Sequence, residues 1–157
     1  MNWGTLLGTV VGAALGIGST LIADHTRSRR ERANRMHDTL RDLYSTYLAA
    51  LNDSSSVLRV IILRENDTAA RYQAALDAFR DASVLTQRYR VALQAPPAVR
   101  EKSDQAYRLL RQWRDLLDTH PGLSLSSSEY LEGLEQFHQA RKDLQATMRA
   151  SLDAADR

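Results

Sequence analysis

The chain has 157 residues, of which 21 are Lys or Arg and 19 are Asp or Glu, and its formal charge is +2. It contains no Cys, which excludes disulfide bonds, thiolate chemistry and Cys-rich zinc sites. Residues 24–35 alone carry five Arg and two acidic residues, so the rest of the chain has a net charge of about −1. We therefore expect no large basic surface outside that segment and no nucleic-acid partner.

The first element in chain order is an uncharged stretch, since no charged side chain lies between Trp3 and Asp24. As a helix, residues 4–23 would be ~30 Å long, which is about the thickness of one bilayer hydrocarbon core. The sequence therefore predicts a transmembrane helix over residues 1–24.

Small residues recur at every fourth position of this predicted helix and therefore share one of its faces. Such a face allows the close backbone approach on which helix association in lipid depends. The helix-packing stripe consists of Gly4, Gly8, Gly12, Gly16 and Thr20. We expect a homo-oligomer through this stripe, and the alternative is that the helix is a lone anchor.

A basic juxtamembrane collar, residues 25–35, follows the predicted span. Its basic residues are Arg27, Arg29, Arg30, Arg32 and Arg35. Positively charged flanks of membrane helices stay on the cytoplasmic side, whereas a cleaved signal peptide carries its positive charge before the apolar core. We therefore expect an uncleaved, single-pass cell-membrane protein with its N-terminus outside and its C-terminal domain in the cytoplasm.

Residues 36–157 are predicted to form a cytoplasmic helical bundle. Their apolar residues follow helical spacing, and no segment shows the period of two that is typical of strands. The predicted helices cover residues 27–64, 69–94, 98–119 and 127–152, and a break that contains a helix cap is expected at residues 66–68. Four amphipathic helices with short turns favour an antiparallel four-helix bundle with a long first helix. The predicted fold class is thus all-α, with one N-terminal transmembrane helix.

The apolar spacing also predicts the core of the bundle. Leu43, Phe79, Trp113 and Phe137 are expected at its centre, each from a different predicted helix. The same spacing assigns three further residues to buried faces, namely Tyr89, Leu93 and Leu131.

No motif in the chain predicts catalysis or cofactor binding. Glu135 and His138 have the Glu-x-x-His spacing of di-iron bundles, but such a site needs a second copy and two more glutamates. Phe137 rather than Glu135 lies at the centre of the apolar face, so a solvated helix surface is the better interpretation. We expect no catalytic residue, no cofactor and no metal, and we expect that the protein is not an enzyme.

The first third of the chain resembles small uncharacterised actinobacterial membrane proteins. The resemblance rests on the glycine-rich helix WGTLLGTVVGAALGIGSTL, the collar RSRRER and the motif LYSTYLAAL at residues 43–51. It implies a cytoplasmic helical domain held at the membrane. It transfers no functional residue to this chain.

Two functions remain open at this point. The first is a non-enzymatic membrane protein whose cytoplasmic domain self-associates or docks a cytoplasmic protein partner at the inner face of the membrane. The alternative is an oligomeric membrane-perturbing effector, holin-like or of a defence type, that assembles through the glycine stripe. Loss of toxicity when stripe glycines are replaced by Leu would favour the second.

Overall fold

The structure, a computed structural model, describes residues 35–65 and 67–155. The predicted transmembrane helix, the stripe Gly4, Gly8, Gly12, Gly16 and Thr20, and the collar residues before Arg35 all lie outside the described residues. The chain divides into two compact units, Met1–Asp38 and Thr39–Arg157.

The described part of the chain contains five helices and no strand, which confirms the all-α prediction. The helices are α1 (residues 35–64), α2 (Thr68–Asp81), α3 (Val84–Gln94), α4 (Pro97–Thr119) and α5 (Ser128–Ala155). No helix within residues 35–65 or 67–155 is long and apolar enough to cross a bilayer.

The turn between α1 and α2 is held by a cap and by a buried arginine. The carboxylate of Asp67 accepts a hydrogen bond from the Ala70 backbone N–H at 2.7 Å, which confirms the predicted cap. Arg71 is buried, and its guanidinium donates to the carbonyls of Glu65, Ile62 and Leu123. Because the last carbonyls of a helix lack intrahelical partners, Arg71 completes the end of α1 and ties it to the loop before α5.

The prediction of a single helix over residues 69–94 is wrong, because the chain breaks between α2 and α3. Ser83 takes a left-handed conformation with φ 54° and ψ 28°, which is uncommon for a residue with a side chain. The break changes the helical phase, so that Val84 and Val91 are buried and the predicted core residues Tyr89 and Leu93 point outward. Neither Gly nor Pro marks this position, so nothing in the local composition predicts it.

The aromatic centre of the core lies between α4 and α5. The Trp113 ring stacks on Phe137 with 5.9 Å between ring centroids, and it contacts Tyr130 at 5.3 Å. Gly133 makes this approach possible, since a Cβ atom there would lie 2.7 Å from Trp113 Cδ1. The four predicted core residues are all buried: Leu43, Phe79, Trp113 and Phe137.

Helix α1 packs on α4 and α5 and completes the core. The Tyr47 hydroxyl donates to the Ser103 carbonyl oxygen of α4 at 3.2 Å, and Arg141 of α5 donates to Asn52 at 3.0 Å. Helix α4 also packs on α2 and α3, so it contacts every other described helix. On α5 the prediction for Leu131 is wrong, because that side chain is 50% exposed.

Candidate interaction surfaces

The outer face of α3 carries a continuous row of large apolar side chains. Leu85, Tyr89 and Leu93 are spaced by four residues and are 43%, 56% and 85% exposed. Positions four apart lie one above the other on a helix, so these three residues form a single stripe, which we call the α3 ridge. Single exposed apolar residues are ordinary on protein surfaces, whereas a continuous row indicates a contact surface.

The segment of the chain that contains the α3 ridge is basic. Residues 80–114 contain eight Lys or Arg and three acidic residues, a net charge of +5. Arg88 is neutralised by Asp104 at 2.9 Å, and its guanidinium lies 5.0 Å from the centre of the Tyr107 ring. Four exposed arginines form no ion pair with any residue that the structure describes, namely Arg90, Arg100, Arg108 and Arg111.

A groove of about 310 Å³ lies beside the ridge, at the corner between α2 and α3. Its lining includes Phe79, Ser83, Leu85, Tyr107 and Arg114. The buried guanidinium of Arg114 lies 5.0 Å from the centre of the Phe79 ring and donates to the carboxylate of the neighbouring Asp115. The corner groove therefore adds an aromatic and basic border to one end of the ridge.

A second surface lies in a segment of opposite charge. Residues 115–140 contain five acidic residues and no Lys or Arg. A groove of about 240 Å³ runs between α4 and α5 in this region; its floor includes Leu109, Trp113 and Leu116, and Glu129 and Glu132 also line it. We call this surface the acidic groove.

The glutamates of this region form no ion pair within the part of the chain that the structure describes. The pKa of Glu129 is lowered first by a backbone N–H and then by the Ser128 hydroxyl, which donates to its carboxylate at 3.1 Å. Within the described residues, neither Glu129, Glu132 nor Glu135 forms an ion pair with a Lys, Arg or His. The acidic groove is therefore an unneutralised negative surface with an apolar floor.

The Glu-x-x-His pair of α5 is not joined by further ligands. Glu135 is exposed and His138 is half-buried beside the buried Phe137. Burial lowers the pKa of His138, and the charge of Arg141 lowers it further. Among residues 35–65 and 67–155, no group of three or more His, Asp or Glu side chains is placed to hold a metal ion.

The structure places one predicted site residue, Arg35, at the start of the described part of α1, where it is exposed. The stripe and the other collar arginines lie outside the described residues. Sequence reasoning missed both surfaces: charge counted in windows along residues 80–140 would have revealed their opposite signs, whereas the α3 ridge depends on the break at Ser83.

No protein-family model, curated protein or solved structure matches this chain.

Proposed function

We propose that the chain is a non-enzymatic, single-pass membrane protein whose helical cytoplasmic domain is an interaction module at the inner face of the membrane. The observation that carries this proposal is the α3 ridge. Complete burial of one large apolar side chain contributes roughly 1.5–3 kcal/mol. Leu85, Tyr89 and Leu93 forgo part of this free energy because they are exposed. A partner that covers the ridge would recover part of that free energy.

The membrane part of the proposal rests on the sequence. The uncharged run over residues 1–24 supplies the anchor, and the collar over residues 25–35 supplies the orientation. The resemblance of the first third of the chain to small actinobacterial membrane proteins is consistent with this arrangement. We infer that residues 36–157 stand on the cytoplasmic side as an antiparallel bundle built around α4.

A pair of reporter fusions at residue 157 tests the topology. A reporter that is active only in the cytoplasm should be active there, and a reporter that needs export should be silent. In the control, the five collar arginines are changed to Gln and three Lys are added after residue 1. This moves the positive charge to the other end of the predicted membrane helix and should invert its orientation in the membrane. Activity of the exported reporter on the unaltered chain would contradict the proposed orientation.

Replacing the α3 ridge tests the interaction module. Leu85, Tyr89 and Leu93 are all changed to Ser in the full chain, which is isolated in mild detergent. The amount of bound partner, or of a second copy, that co-isolates with it should fall at least tenfold. Val57 and Val60 of α1 are also exposed apolar residues, and changing them to Ser is the matched control. Equal retention by the two variants would show that the ridge is not the docking surface.

The glycine stripe supports a second candidate, the membrane-perturbing effector. Four glycines in strict register suit a tightly packed ring of helices. Expression of the unaltered chain would then slow growth and collapse the membrane potential. Changing Gly8 and Gly12 to Leu should abolish both effects, whereas changing Val10 and Val11 to Leu on the other face should not. Normal growth and potential with the unaltered chain would exclude this candidate.

A further inference from the structure

Along the chain, the domain separates its charges into two segments of opposite sign, although Arg114 and Asp115 at their boundary pair with each other at 2.5 Å. Residues 80–114 carry a net charge of +5, and residues 115–140 carry −5. The sum over residues 36–157 is only −1, so the separation is invisible in the overall charge. Opposed patches of this kind steer association and fix its register.

Both regions retain charges that the domain itself does not neutralise. Arg90 lies next to Tyr89 on α3 and donates only to the neutral Gln87 side chain, at 3.1 Å. On the other surface, the Glu132 carboxylate accepts from the neutral Gln136 side chain at 2.9 Å. Neither residue forms an ion pair with another residue that the structure describes.

The two surfaces also match in their apolar parts. The α3 ridge is a convex row of apolar side chains with arginines beside it. The acidic groove is a concave strip with an apolar floor, and the two glutamates that line it, Glu129 and Glu132, lie on its α5 side. Each of the two surfaces thus has an apolar centre with charged residues at its rim, which is the usual anatomy of a protein–protein interface.

One copy of the domain does not bring these two surfaces together. Helix α4 presents Tyr107 and Arg114 to the corner groove beside α3, and it presents Leu109, Gln112 and Leu116 to the acidic groove. Residues two or five apart lie on different sides of a helix, so the grooves open on different faces of α4. The α3 ridge of one molecule can therefore contact only the acidic groove of another molecule.

We infer that the partner of this domain is a second copy of the chain, whose acidic groove receives the α3 ridge and Arg90. This inference rests on the proposed interaction function and names its partner. The contact joins two different surfaces and is therefore heterologous, so that repeated contacts close into a ring or continue as a row. Because the rim charges are exposed, the contact weakens as salt shortens the screening length from ~10 Å at 0.1 M to ~3 Å at 1 M.

Cysteine cross-linking between two tagged full-length copies tests the contact, and the absence of native Cys makes it specific. One copy carries Leu93→Cys and the other carries Gln136→Cys, which lies in the acidic groove. Oxidation in membranes at low salt should give a disulfide-linked pair of the two tags. With Arg149→Cys, an exposed position further along α5, as the second site, the yield should be at least tenfold lower.

Charge reversal then tests the chemistry of the contact. Arg90→Glu or Glu132→Arg alone, in both copies, should lower the cross-linking yield at least fivefold, because like charges face each other. The two changes combined in every copy should restore the yield to within about twofold. Arg149→Glu, which makes the same charge change away from both surfaces, should leave the yield unaltered.

The outcomes separate the inference from the proposed function. If the tagged copies co-isolate but no Leu93→Cys to Gln136→Cys link forms, the inference is wrong and the interaction module remains, with a different contact or a different partner. Yields that are indifferent to both single reversals also overturn it. If the copies do not co-isolate at all while the ridge still retains another protein, the second copy is excluded as the partner and the proposed function stands.

Discussion

Two apolar helix faces with the same kind of spacing differ in burial. The packed interface between α4 and α5, which we call the seam, is buried, whereas the outer face of α3 is exposed. In the seam, Trp113 and Phe137 are buried and stacked. On α3, Tyr89 and Leu93 stand at comparable helical positions and remain exposed. Periodicity thus identifies an apolar face without saying whether that face is covered inside one molecule. The seam stabilises the fold, and the ridge is left for contact.

The difference arises from the lengths and neighbours of the two helices. Helix α4 has 23 residues and packs on all the other described helices, and its buried residues include Val99, Leu110 and Trp113. Helix α3 has 11 residues between the break at Ser83 and the proline pair, and its buried face is supplied by Val84 and Val91. A short helix on the outside of a bundle has room for a second apolar face.

The largest expected effect breaks the seam. Changing Trp113 to Ala removes a buried ring that contacts Tyr130 and Phe137, and it should lower the free energy of unfolding by ~3–5 kcal/mol. Urea unfolding of the full chain in mild detergent, followed by far-ultraviolet circular dichroism, measures the change. A loss below about 1 kcal/mol would show that the seam is not where the stability is held.

A second prediction concerns the contact between α1 and α4, where the Tyr47 hydroxyl donates to the Ser103 carbonyl oxygen. Burial raises the pKa of Tyr47 from 10.0 to about 12. Between those values the folded chain keeps the Tyr47 proton that the unfolded chain has lost, so the contribution of Tyr47 to stability is constant below pH 10 and is lost as the pH rises toward 12. The two-unit shift corresponds to ~2–3 kcal/mol at the upper end. Urea unfolding at pH 9 to 12 should show this fall, and Tyr47→Phe should remove most of it.

A third prediction concerns how closely α4 and α5 pack against each other in the seam. A Cβ at position 133 would lie 2.7 Å from the Trp113 ring, and that ring is held between two other aromatic rings. Gly133→Ala should therefore cost about 1–3 kcal/mol through displacement of α4 from α5. Gly122→Ala is the control, because no atom lies within 4 Å of its Cβ position, and it should change stability by less than ~0.5 kcal/mol. Equal effects of the two changes would mean that the seam is loosely packed.

The smallest expected effect is on the ridge. Leu85, Tyr89 and Leu93 contribute their exposed faces to solvent, so changing any one of them to Ser should alter the free energy of unfolding by less than ~0.5 kcal/mol under conditions where the copies are apart. The same urea measurement at high salt checks this. A loss of 2 kcal/mol or more for one substitution would place that residue in the core and remove the basis of the docking surface.

Much of the fold was predictable because its signals are local. The cap at Asp67, the helix after Pro96 and the burial of Trp113 follow from capping, backbone restriction and periodicity. The break at Ser83 has no such signal. Because the break sets the helical phase of α3, the exposure of Leu93 could not be predicted either. The Arg71 contact is equally hidden, since its acceptors are backbone carbonyls brought together by the fold.

The charge surfaces were predictable in part. Their opposite signs follow from counting charges along residues 80–140, whereas the overall charge of the domain conceals them. Their neutral neighbours, such as Gln87 beside Arg90, depend on helix geometry. That the surfaces lie on different faces of α4 required the three-dimensional arrangement.

Thiol labelling compares the seam and the ridge most directly, since the chain has no native Cys. Leu93→Cys reports on the ridge, and Leu110→Cys reports on the core face of α4, where Leu110 is fully buried. In the folded full chain at high salt, the position 93 thiol should react at least a hundredfold faster than the position 110 thiol, and urea should bring the two rates together. Similar slow rates at both positions before urea is added would mean that α3 is covered within one molecule, which would contradict the division between a stabilising seam and an available ridge.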